Sequence, residues 1–452
     1  MNKHMHLNLF MLNTGHHEAS WRHPDTTPER LTDIHYYAGL AQMAERAKMD
    51  SLFIADALVL TPAVKYKILG TPEPLTLLSA LAMATERIGL IGTVSTTYSE
   101  PFNVARMFAS LDHISRGRAG WNSVTSVGDA TAANFGLEEH PEHGSRYGRA
   151  REYLEVLKGL WDGWEDDAIV ADKQAGIYAD YDNKIRPLRH RGEHFSVHGP
   201  LNIGRSPQGY PVLVQAGSSD AGMELAAETA EVVFTAQNSL QQATKFYADL
   251  KGRMRKYGRS PGELKVLPGF SPIIGATAAE AREKEAMLNE LVMPQFGLIR
   301  VSNTMELDLS RYPLDGPFPL EDLPAADQVK GTKARHSMYV EMIRKEQLTI
   351  RQLIMRTASA RGHFTITGTA EQVADEMEKW VVECGADGFN VMPPYFPAGF
   401  ESFVNEVVPE LQRRGLFRKE YEGSTLREHY GLPRPAHPSA RQPEAASGLL
   451  FR

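Results

Sequence analysis

"RAGWNSVTSVGDATAANFG", Arg118–Gly136, opens as a buried strand and finishes in hydrogen-bonding side chains. Ala119 to Trp121 suit the inside of a sheet. Asn122, Ser123, Thr125 and Ser126 are polar, and Gly128–Asp129 belong in a loop. In a parallel β/α barrel the active-site face lies at the C-terminal ends of the strands, so a strand that turns polar only there has a reason to do so.

Reading outward from that stretch, short apolar runs alternate with amphipathic helical patterns along most of the chain. Strands are expected at His6–Leu12, Ser51–Ala57, Ile88–Thr97, Arg118–Ser126, Pro211–Gly217, Glu231–Gln237, Leu264–Ala276 and Asp387–Pro393. Each is followed by a helical pattern, such as His35–Met49, Asn103–Ile114, Arg146–Trp164 and Phe400–Arg414. The strands are apolar on both faces, as a covered parallel sheet requires. The expected fold is α/β, a (β/α)8 TIM barrel. It forms a single domain over residues 1–422, with insertions at about 165–210 and 277–368. The first insertion is rich in Asp, His, Arg, Gly and Pro, and the second holds helices broken by "SRYPLDGPFPLEDLP". Loops of this length are usually lids or binding elements. Residues 423–452 form a C-terminal extension with too few apolar residues for a domain of its own.

Composition narrows the class. Of 452 residues, 42% are hydrophobic and 23% charged, with a net charge of −7, so no basic field points to nucleic acid or an anionic membrane. No segment approaches the ~20 apolar residues that span a bilayer. "MNKHMHLNLFML" lacks a cleavage site and a sustained apolar core, so no signal peptide is expected. A lone cysteine, Cys384, excludes an internal disulfide and suits a reducing, cytoplasmic setting; its place at a helix end reads as packing.

The strand ends carry Asn13 and Thr14, Asp56, then Thr93, Ser95 and Thr97, then Asn122, Thr125 and Ser126, and finally Gly217, Ser218 and Ser219. These are mostly neutral donors and acceptors. Paired carboxylates, a nucleophile–base set or a metal-ligating cluster are not evident there. Such a rim fits a large polar ligand. "QAGSSDAG" reads either as an ordinary turn with a serine N-cap or as a phosphate cradle of free N–H groups. Arg146 and Tyr147, starting the next helix, favour the cradle. His16, His17 and His23 follow the first strand without a zinc spacing; each alone reads as a loop hydrogen-bonder, with room for one of them to face the site.

"WRHP", "FIADA", "TVSTTYSEPFNVARMFASLDHISRGRAGWNSVTS", "EHGSRYGRAREYLEV", "RSPQGYPVLVQAGSS", "ADGFNVMP" and "YEGSTLREHYGL" together resemble the bacterial-luciferase superfamily. The branch is that of nitrilotriacetate monooxygenase component A, dibenzothiophene-sulfone monooxygenase and long-chain alkane monooxygenase. The resemblance runs from about Met5 to Leu432. It implies a two-component monooxygenase that binds reduced FMN (FMNH2) supplied by a separate NAD(P)H:FMN reductase, reacts it with O2, and oxygenates a small organic molecule. Matched by motif, Asp56, Ser95, Asn122, Thr125 and Ser126 correspond to flavin contacts, and Tyr147, Gly217, Ser218 and Ser219 to the phosphate grip. Asn122, His16 and His17 are the catalytic candidates. The family forms dimers or tetramers.

Three departures from the alkane branch, Thr14, Val127 and the run "ALVLTPAV", turn the expected substrate towards an organosulfur compound or an aminopolycarboxylate, with C–S or C–N cleavage. For the latter, Lys65, Lys67, Arg22 and Arg106 are available cations. Two other readings keep the fold: a deazaflavin-type hydride-transfer enzyme, and a non-catalytic flavin-binding subunit.

Overall fold

A computed structural model describes residues 4–70, 72–126, 128–324, 328–329 and 333–441. Eight parallel strands close on one another: β1 (His6–Phe10), β2 (Ser51–Ile54), β3 (Gly89–Ser95), β4 (Ala119–Val124), β5 (Val212–Ala216), β6 (Val232–Thr235), β7 (Lys265–Ile274) and β8 (Gly388–Val391). Neighbours in sequence are neighbours in space, from Asn8 beside Ser51 round to His6 beside Gly388. The last joint is β7 to β8, with Gly269 opposite Asn390. Each strand lies within its expected range, and the expected barrel is borne out.

The helices pack outside. The Ile34–Arg46 helix starts where the Asp33 carboxylate accepts the His35 N–H, and it buries Tyr36, Tyr37, Leu40, Ala41 and Ala44 at helical spacing. After β4, the His143–Trp161 helix lays Trp161 edge-on to Trp121, with ring centres 6.5 Å apart. Inside the barrel, Phe10, Phe53, Ile91, Val212, Val214, Val232, Leu267 and Met392 make a separate apolar core. Leu426, Tyr430 and Leu432, from the chain after Gly423, complete it.

Two findings go beyond the sequence reading. The 277–368 region contains a strand, Phe364–Gly368, besides its helices; it pairs with the second half of β7, which runs past the barrel rim. Cys384 is exposed, in a left-handed turn (φ 57°) just beyond the Ala370–Val382 helix, so it does not serve packing. The 165–210 excursion folds as two small hairpins, Ile169–Asp172 with Ile177–Ala179 and His190–Arg191 with Ser196–Val197. No described helix is long and apolar enough to cross a membrane.

Candidate active site

The parallel register of β3 and β4 sets one side of the barrel mouth, placing Thr93 beside Asn122 and Ser95 beside Val124. Asn122 is buried, and its amide donates to Thr93 Oγ1 (2.8 Å), which in turn donates to the Ile54 carbonyl (2.8 Å). The other end of that amide, Oδ1, is buried without a partner. An orphaned buried acceptor costs about 1–3 kcal/mol, so a donor on a bound molecule would restore it. Ser126 Oγ donates to Ser95 Oγ (2.8 Å), and the Thr125 carbonyl accepts from Thr97 Oγ1 (2.8 Å). Ser126 is held in the left-handed region at φ 53°, a conformation costly for a non-glycine residue. Its carbonyl takes hydrogen bonds from Arg146 (2.7 Å) and His140 (3.2 Å).

On β5 the chain turns at Gly217 (φ 129°), where an added Cβ would meet nothing within 4 Å. That space opens onto the N-terminus of the Asp220–Thr229 helix, capped by Ser219, whose Oγ accepts the Gly222 N–H (3.2 Å). Tyr147 OH lies 3.2 Å from the same Oγ. Ser218 is half-buried beside it. Asp56 stands exposed at the end of β2, accepting the Ala57 N–H (2.8 Å). Its carboxyl is pushed above the usual range by desolvation, with the Glu73 charge adding and that hydrogen bond opposing.

A cavity lies beside this rim, under the second insertion. Asn13 to Glu18, Ser20, Trp21, Lys67, Ile68, Phe296, Arg300, Ala358 and Arg361 line it. His16 Nε2 is 2.9 Å from the Phe10 carbonyl and must donate to it, leaving Nδ1 as a bare lone pair, which is buried without a partner. Burial lowers its pKa to about 3, so the ring is neutral at ordinary pH. His17 Nδ1 accepts the Ala19 N–H (3.2 Å), and its pKa falls to about 4, again through burial. Neither ring is charged near neutrality. His16 keeps Nδ1 as a free acceptor, whereas His17 has its acceptor nitrogen engaged by Ala19 and its Nε2–H 3.4 Å from Asn289 Oδ1.

Sequence reasoning did not find Glu18, Arg300, Arg361 or His363. Glu18 Oε2 binds Arg300 (2.5 Å), and Arg300 also reaches Thr357 Oγ1 (2.8 Å) and the Ile354 carbonyl (3.1 Å). Desolvation raises the Glu18 pKa against the pull of Arg300. His363 stacks on Phe234 with ring centres 5.1 Å apart, and burial lowers its pKa to about 3. Of the four cations considered from sequence, Lys67 alone lines the cavity. Arg22 is turned to the Leu291 carbonyl, Lys65 lies over the Tyr66 ring, and Arg106 is exposed on its helix. Thr14 is buried in the lining, its Oγ1 3.0 Å from Ser20 Oγ; Val127 lies outside the described residues.

The rim of neutral polar groups and the adjoining cavity lie at the strand C-termini, the face at which enzymes of the (β/α)8 class carry their sites. The chain belongs to the luciferase-like monooxygenase family, whose pattern matches residues 10–388. It is 51% identical over 456 residues to nitrilotriacetate monooxygenase component A of Aminobacter aminovorans, covering 97% of this chain and 99% of that protein. It is 50% identical over 440 residues to N-acetyl-S-(2-succino)cysteine monooxygenase of Bacillus subtilis (strain 168), with the same coverage of 97% and 99%. Among solved structures it is similar to a riboflavin lyase holding modified FMN and riboflavin, with a TM-score of 0.84, 30% identity, and 97% of this chain and 99% of that one covered. The protein is thus a monooxygenase of a family in which flavin dependence is typical, and the expected family and enzyme class are borne out.

Proposed function

We propose that the chain is the oxygenating component of a two-component system, using O2 and FMN reduced by a separate NAD(P)H:FMN reductase. Its substrate is a small organosulfur compound or amine, cleaved at a C–S or C–N bond. The observation that carries the reading is the buried, unpartnered Oδ1 of Asn122, an acceptor waiting for an N–H at the polar end of β4. Asn122, Ser95, Thr125, Ser126 and Asp56 would hold the ring and chain of the flavin. Tyr147, Gly217, Ser218 and Ser219 would take its phosphate at a helix N-terminus, where backbone N–H groups favour an anion. Bound reduced flavin supplies the electrons that activate O2. The protein's own share is to orient both partners and exclude water. The relatives' names support the bond classes, one substrate being an amine and the other a thioether, and "component A" supports a second component.

Anaerobic fluorescence titration with reduced FMN tests this reading. The wild type is expected to bind, and Asn122→Ala to bind roughly 10-fold or more weakly, the cost of one lost hydrogen bond in a buried site. Turnover with reductase, NADH and FMN, on a panel of thioethers, sulfones and aminopolycarboxylates, must consume O2. Product formed without O2, or equal flavin affinity in the variant, overturns it.

A further inference from the structure

The cavity beside the rim carries more positive charge than its walls neutralise. Lys67, Arg300 and Arg361 line it, and Glu18 is the one carboxylate in its lining among the described residues. Glu18 is already engaged by Arg300, which three further oxygens also hold. Lys67 and Arg361 are left over. Lys67 sits over the Phe296 ring at 5.4 Å, without an ion pair among the described residues. The Arg361 guanidinium has neither hydrogen bond nor ion pair among them. Arg361 lies deep in the protein yet keeps accessible surface, because that surface faces the cavity. Its backbone is left-handed (φ 53°), a costly conformation that aims a charged side chain inward.

An unpaired charge in such a place is expensive unless something pairs it. No histidine here bears on that charge: His16, His17 and His363 are uncharged near neutrality and neither offset nor add to it. Arg335, on the Lys333–Glu346 helix, adds to the positive field. Burial first, then repulsion among the cations, holds Lys67 at about 8 and Arg361 at about 10, below their ordinary values; Glu18 pulls the other way at both, and Tyr339 also does so at Arg361.

We propose that this cavity is a carboxylate-recognition subsite in which Arg361 and Lys67 each take one carboxylate, so that the substrate carries at least two. Arg361 offers a planar fork that matches a carboxylate bidentately, and Lys67 a point charge. Trp21 and Phe296 supply apolar wall for the carbon skeleton between them. Calling the ligand a substrate rests on the monooxygenase reading above; the anion site itself does not.

Calorimetric titration of the flavin-free protein with nitrilotriacetate and with N-acetyl-S-(2-succino)cysteine, each beside its fully methylated ester, tests the proposal. At least one acid binds and its ester does not. Arg361→Met and Lys67→Met each weaken that acid by roughly 10- to 100-fold, as expected for a lost charge-assisted contact. Affinity falls above pH ~8 as Lys67 loses its proton, and Lys67→Arg keeps binding at pH 9. Thermal melts separate misfolding from lost recognition, and either variant alone suffices. Failure of both acids to bind, equal binding of the esters, or wild-type affinity in both Met variants overturns the subsite. FMN titrated in parallel reports on the other reading: acid binding in a protein that never binds FMN leaves the subsite standing and removes the flavin.

Discussion

His16 shows how one backbone carbonyl decides what a side chain can do. Phe10 offers only an acceptor, so Nε2 must hold the hydrogen and Nδ1 must be bare. Because burial lowers the folded pKa to about 3, below the free value of 6.5, the unfolded chain takes up the proton first. The stability this group contributes is therefore complete above pH ~6.5 and is lost as pH falls from there towards 3, by ~1.4 kcal/mol per pH unit. His17 and His363 act in the same direction. Urea unfolding followed from pH 7 to pH 4.5 is expected to show steadily falling stability. His16→Gln, which keeps a donor for Phe10, should make that acid slope shallower by up to ~1.4 kcal/mol per unit. An unchanged slope would mean that His16 is not the buried neutral ring described above. The place of Asn122 near the polar end of β4 was legible in the sequence, because a strand that turns polar at its end fixes where that end lies. Arg361 and His363 were not, because "SARGHF" has no periodicity from which to orient a side chain.

At the scale of elements, the 277–368 region builds its own apolar core. Val301, Met305, Leu309, Phe318, Tyr339, Met342, Ile343, Ile350, Leu353 and Ile354 pack together, and the buried contribution from outside the insertion is Ala19. Its helices are locally specified: Thr349 and Gln352 cap the Ile350–Ala358 helix reciprocally, a Thr-x-x-Gln signature readable from sequence. The Pro294–Met305 helix carries Phe296 and Arg300 to the cavity, while Ile354 and Thr357 brace Arg300 from the neighbouring helix. Loosening this core should disturb the cavity wall before it disturbs the rim proposed to hold flavin. Leu353→Ala removes a fully buried side chain at a cost of ~2–5 kcal/mol. The expected result is faster proteolysis within residues 291–358 and KM raised several-fold, with FMN affinity within about two-fold of wild type. Equal losses in both affinities would show that the insertion and the rim move as one body. Helices here were foreseeable from composition; the Phe364–Gly368 strand was not, since its pairing depends on the overrun of β7 beyond the rim.

For the whole molecule, the decisive contact joins the two ends of the chain. A barrel of eight short strands leaves an opening at its N-terminal face, and Leu426, Tyr430 and Leu432 fill it from a segment that reads as a polar tail. The "STLREHYGL" run does hold one usable signal, the reciprocal cap between Thr425 and Glu428. What the sequence could not reveal is the space the helix enters. At Gly89 an added Cβ would lie 2.9 Å from the Asp50 carbonyl oxygen and 2.2 Å from Leu426 Cδ1, so a larger residue would have to displace the Leu426 side chain and crowd that carbonyl. Arg427, 2% exposed, reaches both oxygens of Glu231 (2.6 and 3.0 Å), just before β6, and Tyr430 OH donates to Asn8 of β1 (2.7 Å). The segment thus ties β1 to β6 across the barrel axis, and breaking it should cost global rather than local stability. Leu426→Ala is expected to lower unfolding free energy by ~2–5 kcal/mol. Arg427→Met is expected to cost ~3–5 kcal/mol, because it strands the Glu231 carboxylate. The pair Arg427→Met with Glu231→Gln should recover part of that loss, since no charge is then left alone. Circular dichroism and intrinsic fluorescence, followed through one urea titration, decide the point. Coincident transitions shifted together mark a bolt on the whole barrel, whereas a separate early transition in the variants would reduce the segment to a local appendage.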